Sequence, residues 1–264
     1  MNEPLVVCVM LTKNRPEMAR RAVRSFLAQT YRDKMLLIWD SGSVPFDMGF
    51  VEDHLVPIFY SGTVKTAPIG ALRNDAARWC TTGPTPYPDI FIHWDDDDTS
   101  HPMRIEEQVA LLQSSGADVV GYSDMLFWRK CEVHAMKCNC DDAQAWLYRN
   151  MDRTRYCLGT SLCYWRKVWE AKPFNPKLPE RRGGTGEDTE WLRGLTCVAV
   201  PSLRPMPHWN PLHPERHMNW PEVPRMIASI HGSNTQDYKG IEKSGNSWTR
   251  VPEWDSYCRK VMER

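Results

Sequence analysis

The chain has 264 residues, and its 33 Lys and Arg residues are balanced by 33 Asp and Glu residues, so the formal charge is zero. A neutral chain is not expected to be a strongly basic nucleic-acid clamp or to carry a polybasic membrane anchor. With 42% hydrophobic and 25% charged residues, the composition is typical of a folded protein with one large domain or two small ones.

The amino-terminal residues 1–4 lack the positive and apolar regions of a secretory signal. No window approaches the roughly 18 consecutive apolar residues of a membrane-spanning helix. We therefore expect no transmembrane segment and a cytoplasmic location. The cysteines number 9, and this odd count argues against a disulfide scaffold.

Strands and helices alternate along the first half of the chain. A continuous apolar run over residues 5–11 predicts a buried strand, and Pro16 stands where a first helical residue is favoured. Similar patterns predict strands over residues 35–40, 56–60, 90–94 and 117–122, and helices over residues 70–80 and 102–112. This alternation predicts an α/β fold with a mostly parallel, Rossmann-like central sheet flanked by helices.

Polar clusters follow three of these predicted strands, over residues 12–15, 40–43 and 95–98. Ligands of open parallel sheets bind at the carboxyl ends of the strands. We therefore expect the three clusters to converge on one site.

The second half of the chain is less regular. Residues 131–155 lose periodicity, which predicts an insertion or a loose helical segment, and residues 156–165 are again strand-like. A short helix is predicted over residues 167–172, and a second begins after the glycines of residues 183–186 and continues through Leu195. Residues 201–224 contain too many prolines for regular elements.

Four consecutive carboxylates, Asp95 to Asp98, follow the strand predicted over residues 90–94. Like charges at this spacing raise one another's pKa, and a divalent cation relieves the repulsion. In an extended backbone Asp95 and Asp97 would share one face, and oxygen ligands favour Mg²⁺ or Mn²⁺. The alternative is a solvated turn in which Asp98 or Ser100 caps the following helix.

Five blocks of the sequence together resemble one protein family. They cover residues 6–15, 28–31, 38–43, 70–74 and 94–98, and their order and spacing are those of GT-A glycosyltransferases of family 2. The resemblance implies a single GT-A domain over residues 1–235, with a nucleotide-binding half over 1–98 and an acceptor-side half over 99–235. Residues 236–264 would form a carboxyl-terminal extension.

The resemblance also implies roles for individual residues. Those expected to bind the donor nucleotide sugar are Thr12, Asn14, Arg15, Asp40, Gly70, Arg73, Asn74, Asp95 and Asp96. Asp95 and Asp97 form the DxD element, with Asp97 the expected direct metal ligand. The chain departs from the family pattern at Ser41, where a second Asp is usual.

A later motif, Gly186-Glu187-Asp188, resembles the xED element of the same family, whose Asp is the general base. Such a base takes the proton of an acceptor hydroxyl as the new bond forms. Glu187 is assigned to the acceptor side. Without the resemblance, both carboxylates could equally complement the dipole of the helix that they begin.

Three further residues are candidates for the site. His231, in the run 231–235, resembles a carboxyl-terminal element whose histidine joins the metal shell or contacts the diphosphate. His208 and Trp209 could line the acceptor site or lie in an exposed loop. A zinc site at Cys131, His134, Cys138 and Cys140 is disfavoured because the spacing is unusual.

The resemblance therefore implies a metal-dependent, inverting glycosyltransferase. It would use Mn²⁺ or Mg²⁺ and move a single sugar from a nucleoside-diphosphate sugar, expected to be a UDP-sugar, to an acceptor hydroxyl. A glycan, a lipid-linked precursor, a protein side chain or a modified nucleobase could be the acceptor, and the oligomeric state is left open. The alternatives are a nucleotidyltransferase, a sugar-nucleotide phosphohydrolase and a noncatalytic carbohydrate-binding protein on the same fold.

Overall fold

The computed structural model describes residues 3–49, 57–62, 67–83, 87–129, 143–149, 156–178, 186–203, 223–230 and 247–263. Within these ranges the chain forms two β-sheets and six α-helices. No helix of the described residues is both long and apolar enough to span a bilayer.

The main sheet contains seven strands in the spatial order β10-β6-β9-β4-β1-β2-β3. The strands are β1 (Val6–Thr12), β2 (Lys34–Asp40), β3 (Ile58–Gly62), β4 (Ile90–His93), β6 (Val119–Tyr122), β9 (Cys163–Trp165) and β10 (Cys197–Val200). Only β9 among them runs antiparallel to its neighbours. The predicted mostly parallel α/β sheet is therefore confirmed.

Helices cover both faces of this sheet, so its central strands are apolar on both sides. On one face, Val6, Cys8 and Met10 pack against α1 (Pro16–Leu27) and α3 (Arg104–Ser115). On the other face, Val7 and Val9 pack against α2 (Ile69–Thr82). Successive residues of β1 point to opposite faces, which is why its run of apolar residues is continuous.

A second sheet of five strands has the spatial order β12-β8-β7-β11-β5. The strands are β5 (Thr99–Ser100), β7 (Asp124–Arg129), β8 (Gln144–Arg149), β11 (Met226–Ile230) and β12 (Trp248–Arg250). One face, with Leu126 and Trp128, packs on α6 (Asp255–Met262). Because β12 and α6 complete this sheet, the described part of the region 236–264 is built into the fold.

The predictions for the second half of the chain need correction. Residues 144–149 form strand β8, where an insertion or a loose helical segment was predicted. A 3₁₀ turn over Gly159–Ser161 precedes the short strand β9, where one continuous strand was predicted. Helix α4 covers Arg166–Ala171 as expected. Helix α5 (Glu187–Leu192) ends three residues early, shortly before Gly194 with its left-handed φ of 80°.

Candidate active site

The acidic residues 95–98 connect the two sheets. They leave β4 of the main sheet and enter β5 of the second sheet through a turn, in which the Asp98 amide donates to the Asp95 carbonyl at 3.4 Å. The turn replaces the extended backbone that the sequence pattern predicted. As a result, Asp95, Asp97 and Asp98 each offer a carboxylate oxygen within 4.8 Å of one another.

Asp98 therefore joins the pair that the sequence predicted, while Asp96 points elsewhere. Neither Asp98 nor Ser100 caps α3, whose first turn has no side-chain cap. Instead, the Thr160 hydroxyl donates to Asp98, and Ser100 Oγ accepts a 3.0 Å hydrogen bond from Arg104. The capping alternative thus does not describe this turn.

Asp96 is buried beneath the turn and is bound to the end of β1. Thr12 Oγ1 donates to Asp96 Oδ2 at 2.7 Å, and Arg15 Nη2 lies 2.6 Å from Asp96 Oδ1. The other arm of Arg15, Nη1, is 3.2 Å from Asp97 Oδ2. The clusters 12–15 and 95–98 therefore converge, as predicted.

Burial and mutual repulsion act on the protonation of this turn. Burial, reinforced by the charge of Asp97, raises the pKa of Asp96 to about 7. The pKa values of Asp95 and Asp98 are also raised, first by burial and then by neighbouring carboxylates. In Arg15, burial alone would lower the pKa, but the surrounding carboxylates outweigh it and raise the pKa.

The three clustered carboxylates fit a divalent cation. Their oxygens are hard ligands, and the crowding that raises their pKa values is the repulsion that a bound cation would remove. Asp95, Asp97 and Asp98 are the described residues that would hold Mn²⁺ or Mg²⁺. The sequence alone did not include Asp98 in this set.

Arg73 connects the acidic turn to helix α5. Its side chain is 7% exposed, with Nε donating to Glu187 Oε1 at 3.1 Å and Nη2 lying 3.7 Å from Asp95 Oδ1. The third nitrogen, Nη1, is buried without a hydrogen-bond partner among the described residues. A buried donor without a partner is costly, and an oxygen of a bound anion would satisfy it.

Asp188 lies in the first turn of α5, next to Glu187. Tyr156 Oη donates to Asp188 Oδ2 at 3.4 Å, and the Tyr156 hydroxyl is also 2.9 Å from Thr189 Oγ1. Gly159 faces the carboxylate so closely that a Cβ on this glycine would overlap it. Burial, followed by the charge of Glu187, raises the pKa of Asp188 to about 6.

The strand ends of β1 and β2 form a pocket of about 230 Å³. Thr12, Asn14, Arg15 and Asp40 line it together with Pro16 and residues 44–46. Asn14 has a left-handed backbone with φ of 54°, which Asn tolerates better than most residues, and its Oδ1 accepts the Ser43 amide at 2.9 Å. The cluster at residues 40–43 therefore also joins the site.

The carboxylate of Asp40 is already hydrogen-bonded to groups of the same chain. Its Oδ1 accepts the Gly42 amide at 2.7 Å, and its Oδ2 accepts the Phe46 amide at 3.0 Å and the Tyr60 hydroxyl at 3.1 Å. These bonds shape the loop that lines the pocket. The structure thus gives Asp40 a supporting role, and direct contact with a base or ribose stays a prediction.

Gly70 and Asn74 of α2 face the segment around Phe174. The Asn74 amide donates to the Phe174 carbonyl at 2.7 Å and accepts from Trp169 Nε1 at 2.9 Å and from the Phe174 amide at 3.0 Å. A Cβ at Gly70 would lie 2.7 Å from the Asn175 carbonyl. Both residues therefore take part in packing within the chain, and their predicted contact with the donor stays a prediction.

Three predicted site residues, His231, His208 and Trp209, lie outside the described residues. The same holds for Cys131, His134, Cys138 and Cys140. Their predicted roles in the metal shell, the acceptor site or a zinc site stay predictions.

Sequence reasoning missed a group that holds the acidic turn in place, which we call the Arg21 clasp. Arg21 donates to the Asp97 carbonyl at 3.0 Å, to Ser229 Oγ of β11 at 3.0 Å and to the Met262 carbonyl of α6 at 2.9 Å. Ser229 Oγ also donates to the Asp97 carbonyl at 2.7 Å. No local sequence signal marks it, because Arg21 lies on the polar side of α1 together with Arg20 and Arg24.

Residues 7–125 match the family model described as glycosyl transferase family 2. No curated protein matches the chain in sequence. The structure is similar to S. aureus TarS 1–349 in complex with UDP-GlcNAc, with a TM-score of 0.57 and 12% identity over 88% of this chain and 60% of that chain.

It is also similar to the mannosyltransferase PcManGT from Pyrobaculum calidifontis in complex with GDP-Man and Mn²⁺. The TM-score is 0.55, with 10% identity over 99% of this chain and 70% of that one. A longer S. aureus TarS structure matches with a TM-score of 0.54 and 11% identity over 86% of this chain. The present chain spans 37% of that longer TarS chain and 60% of its 1–349 segment.

Proposed function

Because residues 7–125 carry the family 2 glycosyltransferase sequence and the chain has the GT-A fold, we propose that this protein is a metal-dependent, inverting glycosyltransferase. It moves one sugar from a nucleoside-diphosphate sugar, a UDP-sugar, to an acceptor hydroxyl. The observation that carries the proposal is the Arg73 bridge, which joins the Asp95 end of the acidic turn to the Glu187-Asp188 pair.

The residues of the chain divide the reaction between them. Asp188, with its pKa raised to about 6, takes the proton of the acceptor hydroxyl as that oxygen attacks the anomeric carbon. A single displacement of this kind inverts the anomeric centre. The Asp188 carboxylate is held in place by Tyr156 and by the absence of a side chain at Gly159.

The departing diphosphate would accumulate charge beside Arg73. The unpartnered Nη1 of Arg73 is positioned to donate to a diphosphate oxygen, while Glu187 and Asp95 fix the guanidinium plane. A divalent cation held by Asp95, Asp97 and Asp98 would supply further charge neutralisation for the diphosphate. The pocket beside Asn14 and Asp40 would accommodate the nucleoside.

The similar structures support a nucleotide sugar as the donor. One TarS structure contains UDP-GlcNAc, and the mannosyltransferase contains GDP-Man and Mn²⁺. UDP as the nucleotide, Mn²⁺ or Mg²⁺ as the metal, and the cytoplasmic location stay predictions from the sequence.

A thermal-shift panel of UDP, GDP, dTDP and CDP, each with and without Mn²⁺, tests the proposal. We expect UDP to raise the unfolding temperature, because a ligand that binds only the folded state stabilises that state. We expect this increase only when Mn²⁺ is present. An unchanged unfolding temperature in every condition would contradict the proposal. A phosphohydrolase would instead release sugar phosphate or nucleotide, and the rate of release would depend neither on Asp188 nor on the presence of an acceptor.

Two variants separate the metal site from the base. Asp97→Ala should lose both the Mn²⁺-dependent shift and sugar transfer, because one of the three clustered carboxylates is removed. Asp188→Asn should keep the shift and lose transfer by about 10²-fold to 10⁴-fold, the usual contribution of a general base. Glu190→Gln, a change of the same type on the same helix, is the control and should transfer normally. Normal transfer by Asp188→Asn would exclude Asp188 as the base.

A further inference from the structure

The 3₁₀ turn over Gly159–Ser161 is held by three buried side chains, one for each of its carbonyls. The Gly159 carbonyl accepts from His93 Nδ1 at 2.7 Å, the Thr160 carbonyl from Arg104 Nη2 at 3.1 Å, and the Ser161 carbonyl from Gln108 Nε2 at 2.6 Å. We call His93, Arg104 and Gln108 the turn anchors. None of the three is more than 2% exposed, so water does not compete for their bonds to the turn.

The turn anchors also bind one another. Arg104 Nε donates to Gln108 Oε1 at 3.1 Å, one helical turn further along α3. Arg104 Nη2 also donates to the His93 carbonyl at 2.8 Å, at the end of β4. The third nitrogen, Nη1, donates to Ser100 Oγ, so each nitrogen of the guanidinium has a partner. The turn anchors therefore fix the turn to α3 and β4, because a buried network whose members are all bonded specifies a single arrangement.

Successive residues of the turn contact two functional carboxylates of the site. The Thr160 hydroxyl donates to Asp98, one of the three clustered carboxylates. The neighbouring Gly159 faces Asp188, so closely that a Cβ on this glycine would overlap the carboxylate. The turn thus lies between a candidate metal ligand and the candidate base, and a shift of its backbone would change both contacts.

We propose that the turn anchors are positioning residues for the transfer reaction. By holding the carbonyls of the turn, they fix Asp188 on one side of it and Asp98 on the other. The inference rests on the proposed function, because it takes Asp188 as the base and Asp98 as a metal ligand. The turn anchors act through the backbone of the turn, without touching the reacting groups.

Among the turn anchors, His93 distinguishes positioning from simple packing. Its ring lies in an aromatic cluster, and its centroid is 5.6 Å from the ring centroids of both Tyr164 and Phe174. Because a carbonyl oxygen only accepts, Nδ1 carries the proton of the bond to Gly159. His93 thus makes two separable contributions, a ring that packs and an N–H group that holds the turn.

Two substitutions of His93 separate these contributions. His93→Phe keeps an aromatic ring but leaves the buried Gly159 carbonyl without its donor, which is costly and releases the turn. His93→Asn loses the ring, whereas its side-chain amide offers an N–H group at the position of Nδ1. Packing alone predicts faster transfer by the Phe variant, and positioning predicts faster transfer by the Asn variant.

The rate is measured as Mn²⁺-dependent release of UDP from UDP-glucose, UDP-galactose and UDP-N-acetylglucosamine, with water in place of the acceptor hydroxyl. His93→Phe should lower kcat about tenfold to 100-fold, the effect of displacing a catalytic group by about 1 Å, and should leave KM for the donor unchanged. His93→Asn should restore most of the rate. Equal kcat in His93→Phe and the wild type, or a faster Phe variant than Asn variant, would overturn the inference.

Thr160 tests the metal side of the turn without turnover. Thr160→Val keeps the shape of the side chain and removes the hydroxyl that orients Asp98. The affinity for Mn²⁺, measured from the EPR signal of the free ion, should fall about tenfold to 100-fold. Thr160→Ser keeps the hydroxyl and should bind Mn²⁺ like the wild type. Unchanged affinity in Thr160→Val would overturn the inference.

Lys34→Met is the matched control for the loss of a buried donor. Lys34 Nζ donates to the carbonyls of Gln29 and Tyr31 at 2.8 Å and 2.7 Å, at the end of the main sheet opposite to the acidic turn. The variant should lower the unfolding temperature without changing kcat or the affinity for Mn²⁺. If His93→Phe does not fold, Gln108→Met, which removes the donor to the Ser161 carbonyl, takes its place with the same expected loss of kcat.

The failure of this inference differs from the failure of the proposed function. The thermal shift with UDP and Mn²⁺ is measured on the same samples. If the wild type shows the shift and releases UDP, but His93→Phe is equally active, the inference is overturned and the proposed function stands. If the wild type shows neither the shift nor the release, the proposed function fails, and the Mn²⁺ affinities of the two Thr160 variants decide whether the turn positions Asp98.

Discussion

Asp188 is a carboxyl group whose environment opposes its ionisation. Burial is the main cause and raises its pKa to about 6, and the adjacent Glu187 adds to the effect. A general base must be deprotonated before it can accept a proton. We therefore predict that kcat/KM with a saturating metal falls about tenfold per pH unit below pH 6 and reaches a plateau above pH 7. A pH profile that stays level down to pH 4.5 would contradict this.

The raised pKa of Asp188 also makes the stability of the folded protein decrease as the pH rises. Because folded Asp188 binds its proton more tightly than the unfolded residue, its contribution to stability is complete at low pH and is lost as the pH rises through about 6. Asparagine does not ionise, so Asp188→Asn does not lose stability in this way as the pH rises. We predict that the variant is more stable than the wild type at pH 7, by about 1–3 kcal/mol, and equally stable near pH 4. Urea unfolding at both pH values measures this.

For individual residues, the sequence predicted which side chains lie at the site, but it predicted less well what each of them contacts. The motifs identified Asp95, Asp97 and Asp188 through residue type and order. They could not show that the carboxylate of Asp40 and the amide of Asn74 each make three hydrogen bonds within the chain. Such bonds depend on loop and side-chain positions that are set by distant packing, and a single sequence does not encode them locally.

Among the elements, the 3₁₀ turn over Gly159–Ser161 controls the shape of the site most directly. Gly159 needs no unusual backbone angle, so Gly159→Ala introduces only a Cβ that would overlap the Asp188 carboxylate. We predict that transfer falls about tenfold to 100-fold because the base is displaced, an effect expected for a misplacement of about 1 Å. The Mn²⁺-dependent thermal shift with UDP should be retained.

A control for this prediction is Gly116→Ala, at the end of α3 with φ of 68°, where nothing lies near the added carbon. It should lower stability through backbone strain without affecting transfer. Equal transfer by Gly159→Ala and the wild type would show that the turn does not position Asp188.

The second sheet was the largest element-scale omission of the sequence analysis. Its strand β11 pairs with β7, which lies about 100 residues earlier, and β5 has only two residues. Strands this short and this distant have no periodic pattern of their own, because their pairing depends on the tertiary fold. The main sheet, with its long apolar strands and alternating helices, was predicted because both signals are local.

On the scale of the whole molecule, helix α6 covers one face of the second sheet. Its Cys258 and Met262 are fully buried against Leu126, Trp128 and their neighbours, and each such side chain contributes about 1.5–3 kcal/mol. We predict that deleting residues 252–264 lowers the unfolding temperature by an amount on the order of 10 °C. The stabilisation by UDP and Mn²⁺ should fall as well, since Arg21 loses its bond to Met262.

Differential scanning fluorimetry with and without ligands measures both effects. Lys260→Ala, a change at an exposed position of the same helix, should leave both unchanged. An intact ligand response in the truncated chain would show that the Arg21 clasp does not support the acidic turn.

The Arg21 clasp also has a consequence for biosynthesis. Arg21 and its partner Met262 are separated by 241 positions, and the same guanidinium also donates to the carbonyl of Asp97. A growing polypeptide that has left the ribosome as far as residue 230 already contains Asp95, Asp97, Asp98 and Asp188. It still lacks the group that completes the clasp. Donor binding by ribosome-bound chains is therefore expected to reach full strength only after residue 262 has emerged from the exit tunnel.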